Sequence, residues 1–294
     1  MSMMQTDTTY DQVQHHYGSV ARGANSSHSS TIAKAFGYST DDLNSIPKEA
    51  NLGLSCGNPL AIASLREGEV VIDLGSGAGF DVFQAAKKVG DSGRVIGVDM
   101  NKDMLALARK NHAKTPHTDN VSFIEANITS IPLYDGLADC IISNCVINLV
   151  PEKDKPLVFA EMARLLKSGG RVAVSDLLAK KELPPALRGS VALYVGCVAG
   201  ASMQQDYMKW LHDNGFEDVV IVDTESDLNI YMEAAKSDGA DDTNADPACC
   251  GAPAPDEAAC CSPGSTGAKG ATVQLGDIDV NEWVGSYKVF AVKQ

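Results

Sequence analysis

Two groups of residues have types and spacing suited to chemistry. In the stretch Val70 to Gly79, V-V-I-D-L-G-S-G-A-G, Gly75, Gly77 and Gly79 fall at alternate positions. An apolar run, a glycine turn and the amphipathic Phe80 to Ala86 read as a buried strand, a tight loop and a helix. Glycine there permits positive φ and removes the Cβ from a ligand's path. The helix N-terminus beyond it offers free N–H groups to a carboxylate or phosphate. Asp99 lies 20 residues after Gly79, at the end of an Arg94–Asp99 strand, where a carboxylate accepts hydrogen bonds from ribose hydroxyls. The second group is Cys56, Cys145 and Cys197, each in or beside a loop, whose thiols suit a soft, thiophilic electrophile.

Both groups depend on a sheet to position them. Strands are expected at 70–74, 94–99, 121–125, 139–144, 171–176 and 219–222, with a closing strand within 283–292. In an open, mostly parallel sheet, ligands bind beyond the carboxyl ends of the strands. Cys145 follows the fourth strand, Cys197 lies in the excursion after the fifth, and Cys56 occupies the Gly/Pro-punctuated loop before the first. Cys140 alternates within a strand and reads as core. A helix through Leu157, Phe159, Met162, Leu165 and Leu166 is expected to end at Gly169–Gly170 as a C-cap. Further helices are expected over 104–113 and 203–214. The N-terminal region shows a periodic Tyr10–Tyr17 piece and a helix start at Thr40-Asp41-Asp42, placed to cap the site at the glycine turn. His15 and His16 are adjacent, so they point to different helix faces and read as surface.

The 294 residues are enough to bury a core, and the composition is that of a globular protein, 44% hydrophobic and 21% charged. A net charge of -14 argues against nucleic acid, whose phosphates call for concentrated Lys and Arg. The first residues lack the pattern of a signal peptide and no run suits a membrane span, so a cytoplasmic chain is expected, with its eight cysteines as thiols and any disulfide transient or catalytic. Residues 237–270 carry six acids, one Lys and the pairs Cys249-Cys250 and Cys260-Cys261, with no large apolar side chain. Such a stretch buries too little surface to order itself.

The G-x-G-x-G spacing departs from the dinucleotide pattern G-x-G-x-x-G and resembles the first motif of class I methyltransferases, which bind S-adenosylmethionine (SAM). The resemblance implies a Rossmann-like α/β fold: a seven-stranded, mostly parallel sheet with an N-terminal helical cap and a C-terminal substrate-binding lobe. It implies SAM contacts from Asp73, Gly75, Gly77, Gly79, Asp99, Met100, Ile128 and Asn144. The segment from Ala126 to Pro132 is similar to the one that meets adenine, with Asn127 in place of the family's usual acid; an amide still offers a donor and an acceptor.

More narrowly, four segments resemble arsenite methyltransferases: Gly-Leu-Ser-Cys56-Gly, Ser-Asn-Cys145-Val-Ile-Asn-Leu-Val-Pro151, Gly-Cys197-Val-Ala-Gly-Ala201, and Asn281 to Lys288. This resemblance implies that Cys56, Cys145 and Cys197 bind trivalent arsenic, that a SAM methyl passes to it, and that glutathione or thioredoxin serves as reductant. Many members carry a fourth cysteine near the N-terminus that pairs with the counterpart of Cys56, but residues 1–55 here contain none. Thiol exchange then has to come from the reductant or from the tail pairs, which are also candidates for auxiliary arsenic capture. The expected organisation is a leader and cap (1–55), a SAM domain (56–176), an arsenic lobe with the sixth strand (177–236), the cysteine-pair insertion (237–270) and a closing strand (271–294), acting as a monomer. The alternatives are a SAM methyltransferase for an organic small molecule and a non-catalytic arsenic-binding protein.

Overall fold

The computed structural model describes residues 2–23, 29–230 and 279–294. Helices α1 (Ser2–Gly23), α2 (Ser29–Ala35) and α3 (Thr40–Asn44) precede the sheet, followed by the short α4 (Leu60–Ala63). The start of α3 is fixed by a capping box, Ser39 accepting from the Asp42 N–H while the Asp42 carboxylate accepts from the Ser39 N–H. Then come β1 (Val70–Leu74), α5 (Phe80–Val89), β2 (Arg94–Asp99), α6 (Lys102–His112), β3 (Val121–Glu125), β4 (Ala138–Asn144), α7 (Lys155–Leu165) and β5 (Leu166–Ala179). The chain continues through α8 (Pro185–Arg188), α9 (Val191–Val195) and α10 (Gln204–Asp213) to β6 (Phe216–Asp223) and β7 (Val284–Lys293).

These strands form one seven-stranded sheet in the order β3-β2-β1-β4-β5-β7-β6. The five strands from β3 to β5 are parallel; β7 runs antiparallel between β5 and β6. Alternation along β1 splits the core. Ile72 and Leu74 pack with α7 and α10 on one face, while Val71 packs with α5 on the other. Strand order reverses at β1, between β2 and β4, and this switch point is where the carboxyl edge opens a crevice.

Two expectations need correction. Helix α7 ends at Leu165, before Gly169–Gly170, because Leu166 is already extended and pairs with Ala138 of β4. Strand β5 is accordingly much longer than 171–176, starting at Leu166 and reaching Ala179, with Arg171–Ala179 paired against Val284–Val292 of β7. The insertion 237–270, with Cys249, Cys250, Cys260 and Cys261, lies outside the described residues. Among the described residues no helix is long and apolar enough to cross a membrane.

Candidate active site

The glycine loop follows from local chemistry. Gly75, Gly77 and Gly79 adopt φ of 70°, 51° and 93°, which only glycine takes without strain. A Cβ on Gly75 would lie 2.4 Å from Val146, and one on Gly79 2.6 Å from Phe83, so both are also needed for packing. At Gly77 the nearest atom is 4.0 Å away, leaving bare backbone facing a cleft. Asp99 accepts from the Gly77 N–H at 2.9 Å and from the Asn101 N–H at 2.8 Å, holding the loop.

The cleft is bordered by Asp73, Gly75, Gly77, Asp99, Met100, Asn127, Ile128 and Asn144, together with Cys145. Gly79 sits behind its wall as the N-cap of α5. Two buried carboxyls, Asp73 and Asp81, converge there with the half-buried Asp99. Burial, then the charges of Asp81 and Asp99, hold Asp73 well above the usual carboxylate range. Burial lifts Asp81 to about 6, opposed by hydrogen bonds from Tyr38 and Asn144, and lifts Asp99 against its backbone donors. Such a cluster favours a cationic occupant.

Asn144 borders the cleft, yet its amide is engaged elsewhere. Its Nδ2 lies 3.0 Å from the Tyr38 hydroxyl, the Gly57 carbonyl and Asp81 Oδ2, and its Oδ1 accepts from the Cys56 N–H at 3.3 Å. It therefore ties the Cys56 loop to the start of α5. Ser286 of β7 secures the same loop by donating to the Cys56 carbonyl at 2.6 Å.

Cys56, Cys145 and Cys197 are all buried, and their sulfur atoms lie within 4.8 Å of one another. Cys56 and Cys145 are joined as a disulfide, with Cα atoms 5.7 Å apart. That corrects the expectation of free thiols at these two positions: the converging loops put both sulfurs within bonding reach. Cys197 remains a thiol and donates to the Cys145 carbonyl at 2.9 Å. Burial, then the Asp176 charge, pushes that thiol's pKa up. Cys145 and Cys197 have φ of 59° and 66°, a left-handed conformation that non-glycine residues keep only where surrounding structure imposes it. Cys140 lies away from them in the sheet core, its thiol pushed up to about 12 by burial.

The lid over the cleft is a feature that the sequence reading did not resolve into residues. Tyr10, Val13, Gln14 and Tyr17 of α1 border it, and their spacing of three, one and three is that of one helix face. The helix is tied down by Asn101 Nδ2 donating to the Gln14 carbonyl at 2.8 Å, by the Tyr17 hydroxyl on the Val195 carbonyl at 3.0 Å, and by the Arg22–Asp103 pair. His15 is exposed and His16 half-buried.

A seven-stranded sheet of this order, with a glycine loop after β1 and an acid ending β2, defines a class I methyltransferase fold. A methyltransferase-domain family profile matches residues 65–215, and the chain belongs to that family. Among curated relatives, an arsenite methyltransferase of Halobacterium salinarum is 43% identical over 215 residues, covering 69% of this chain and 54% of the relative. The human arsenite methyltransferase is 36% identical over 156 residues, 50% of this chain and 40% of the relative. The chain thus spans about half the length of the curated relatives it matches. Among solved structures, an arsenic(III) SAM methyltransferase from Chlamydomonas reinhardtii superposes with a TM-score of 0.54 at 24% identity, over 90% of this chain and 73% of that one. A geranyl diphosphate C-methyltransferase from Streptomyces coelicolor gives 0.59 at 16%, over 89% and 87%. These two likenesses establish the fold.

Proposed function

We propose that this chain is a SAM-dependent arsenite methyltransferase. The observation that carries the reading is the group of three buried cysteine sulfurs within 4.8 Å of one another, one of them, Cys145, at the wall of the cleft built by the glycine loop. The residues present fit SAM. Gly77 offers exposed backbone to its amino-acid end, Asp99 is placed for the ribose hydroxyls, Asn127 and Ile128 for adenine, and the carboxyl cluster for its positive charges. Bound there, SAM supplies an electrophilic methyl group, and the lone pair of trivalent arsenic is the acceptor.

The chain's own residues prepare that acceptor. Two reductant thiols open the Cys56–Cys145 bond, leaving two cysteine thiols and one reductant disulfide. Arsenous acid then exchanges its three hydroxyls for three sulfurs. Each S–H proton leaves with a displaced hydroxide as water, so the raised pKa of Cys197 is no obstacle. Three As–S bonds leave the arsenic lone pair free, and the buried position excludes competing water. Positioning supplies most of the acceleration, because transfer of a methyl group to a lone pair has no proton to move.

Glutathione or thioredoxin is the expected reductant, arsenite and methylated arsenicals the small-molecule partners, and the cytoplasm, where thiols are kept reduced, the expected location. Monomeric action and auxiliary capture by the pairs Cys249-Cys250 and Cys260-Cys261 belong to the same reading. Incubation of the protein with SAM, arsenite and glutathione, followed by arsenic speciation, tests it. Methylated arsenic from the parent and none from Cys145→Ser supports the reading. Absence of methylated arsenic with SAM bound normally overturns it.

A further inference from the structure

Lys155, in the first turn of α7, is 99% buried: its side chain is 1% exposed. A buried ammonium is costly unless fully paired, and an apolar side chain would seat the helix more simply. Its three N–H groups have three acceptors: Glu152 Oε2 at 2.7 Å, Ser202 Oγ at 2.7 Å, and the Gly200 carbonyl. Gly200 and Ser202 belong to the segment that follows Cys197. Glu152 belongs to the segment that leads out of the turn after Cys145. One cation therefore joins the chain on either side of the cysteine cluster.

The junction is tight. A Cβ on Gly200 would lie 2.0 Å from the Asn148 carbonyl oxygen, so the Cys197 loop rests directly on the 3-10 turn Ile147–Leu149 that follows Cys145. Asn148 is fixed in turn, its Nδ2 donating to Asp176 Oδ1 at 2.8 Å and to the Leu177 carbonyl at 2.6 Å. The Tyr194 hydroxyl adds a bond to the Leu149 carbonyl at 3.1 Å. The left-handed backbone at both Cys145 and Cys197 needs such external restraint.

We infer that Lys155 is a positioning residue that holds the Cys197 sulfur in register with Cys145, so that the site presents three sulfurs to one atom instead of two. The inference rests on the arsenic reading of the cluster. It gives Lys155 no contact with SAM, whose cleft is bordered by other residues.

The test compares the phosphine-reduced parent with Lys155→Met, which keeps length and removes charge. Arsenite affinity is measured by titration, arsenic–sulfur coordination by X-ray absorption, and SAM affinity by calorimetry. The expected result is a loss of arsenite affinity of about tenfold or more, with coordination falling from three sulfurs to two and SAM affinity within about twofold. If Lys155→Met does not fold, Ser202→Ala decides, since it leaves Lys155 paired and removes one tie to the loop; a loss of arsenite affinity of about threefold with unchanged SAM affinity is expected. Three sulfurs and parental arsenite affinity in the folded variant overturn the inference, as does parallel loss of SAM and arsenite binding. A parent that does not bind arsenite through three sulfurs instead defeats the arsenic reading itself, whatever Lys155 does.

Discussion

The two halves of this site are built by different means. The glycine-loop half comes from a short piece of sequence: Gly75, Gly77 and Gly79 between β1 and α5, with Asp99 at the end of the adjacent strand holding the Gly77 N–H. Its geometry is backbone geometry, set by glycine and by strand pairing. The cysteine half is assembled from positions 89 and 52 residues apart in sequence. It is held by side chains, namely Asn144, Asn148, Lys155 and Asp176. A half made of backbone tolerates most side-chain changes nearby, whereas a half made of long-range side-chain ties can be dismantled one residue at a time.

The sharpest separation is expected from Cys197→Ser. A serine hydroxyl forms no comparable bond to arsenic, so methylation should fall by about a hundredfold or more while SAM affinity, measured by calorimetry, stays near the parent value. Asp99→Ala is the mirror experiment. It removes the proposed ribose acceptor together with the bond to the Gly77 N–H, so SAM affinity should drop by about tenfold or more, with arsenite titration unchanged. If either variant damaged both ligands equally, the division between the halves would not hold.

Asp176 tests the side-chain network through pH. Burial lifts its carboxyl to about 7, opposed by hydrogen bonds from Tyr207 and the Leu177 N–H. The folded state therefore prefers the protonated acid. That contribution to stability is fully present below the ordinary carboxylate pKa and is lost as pH rises through about 7. Asn in its place can still accept from Leu177 and Asn148 and can donate to the Tyr207 oxygen. Thermal midpoints at pH 5 and pH 8 should therefore differ less in Asp176→Asn than in the parent. An equal fall in both proteins would show that Asp176 does not titrate in this range. The smallest effect belongs to Cys140→Ala. This cysteine is wholly buried in the sheet, so methylation should remain at the parental rate, with a cost of about 1 kcal/mol in denaturant unfolding.

The same division explains what the sequence revealed. The β1–loop–α5 unit was legible because strand period, glycine chemistry and the acid ending β2 are all local signals. The placing of Cys145 and Cys197 on one edge was legible from the rule that puts ligands at strand ends, applied to the loops after β4 and β5, whereas Cys56, in the loop before β1, joined them through the resemblance of its segment. Asn144, expected as a cofactor contact, borders the cleft, but its ties to Tyr38, Asp81, Gly57 and Cys56 were not legible. No local pattern gives partners so far apart in sequence. Lys155 carried no signal at all, since a lysine beside Glu152 and Asp154 reads as helix surface until tertiary contacts bury it. The stop of α7 at Leu165 was hidden for a related reason, strand pairing with Ala138 outweighing the glycine signal four residues on. The lid face of α1, in contrast, was available in the spacing of Tyr10, Val13, Gln14 and Tyr17.

The most direct test of the account is a single-turnover transfer experiment. Reduced protein is loaded with one equivalent of arsenite, mixed with SAM labelled in its methyl group, quenched and analysed for labelled arsenic. Label on arsenic is expected in the parent and none in Cys197→Ser, although both proteins bind SAM. Equal labelling in the two, or no labelling in a parent that holds arsenite and SAM together, would contradict the claim that three convergent cysteines present arsenic to the methyl group.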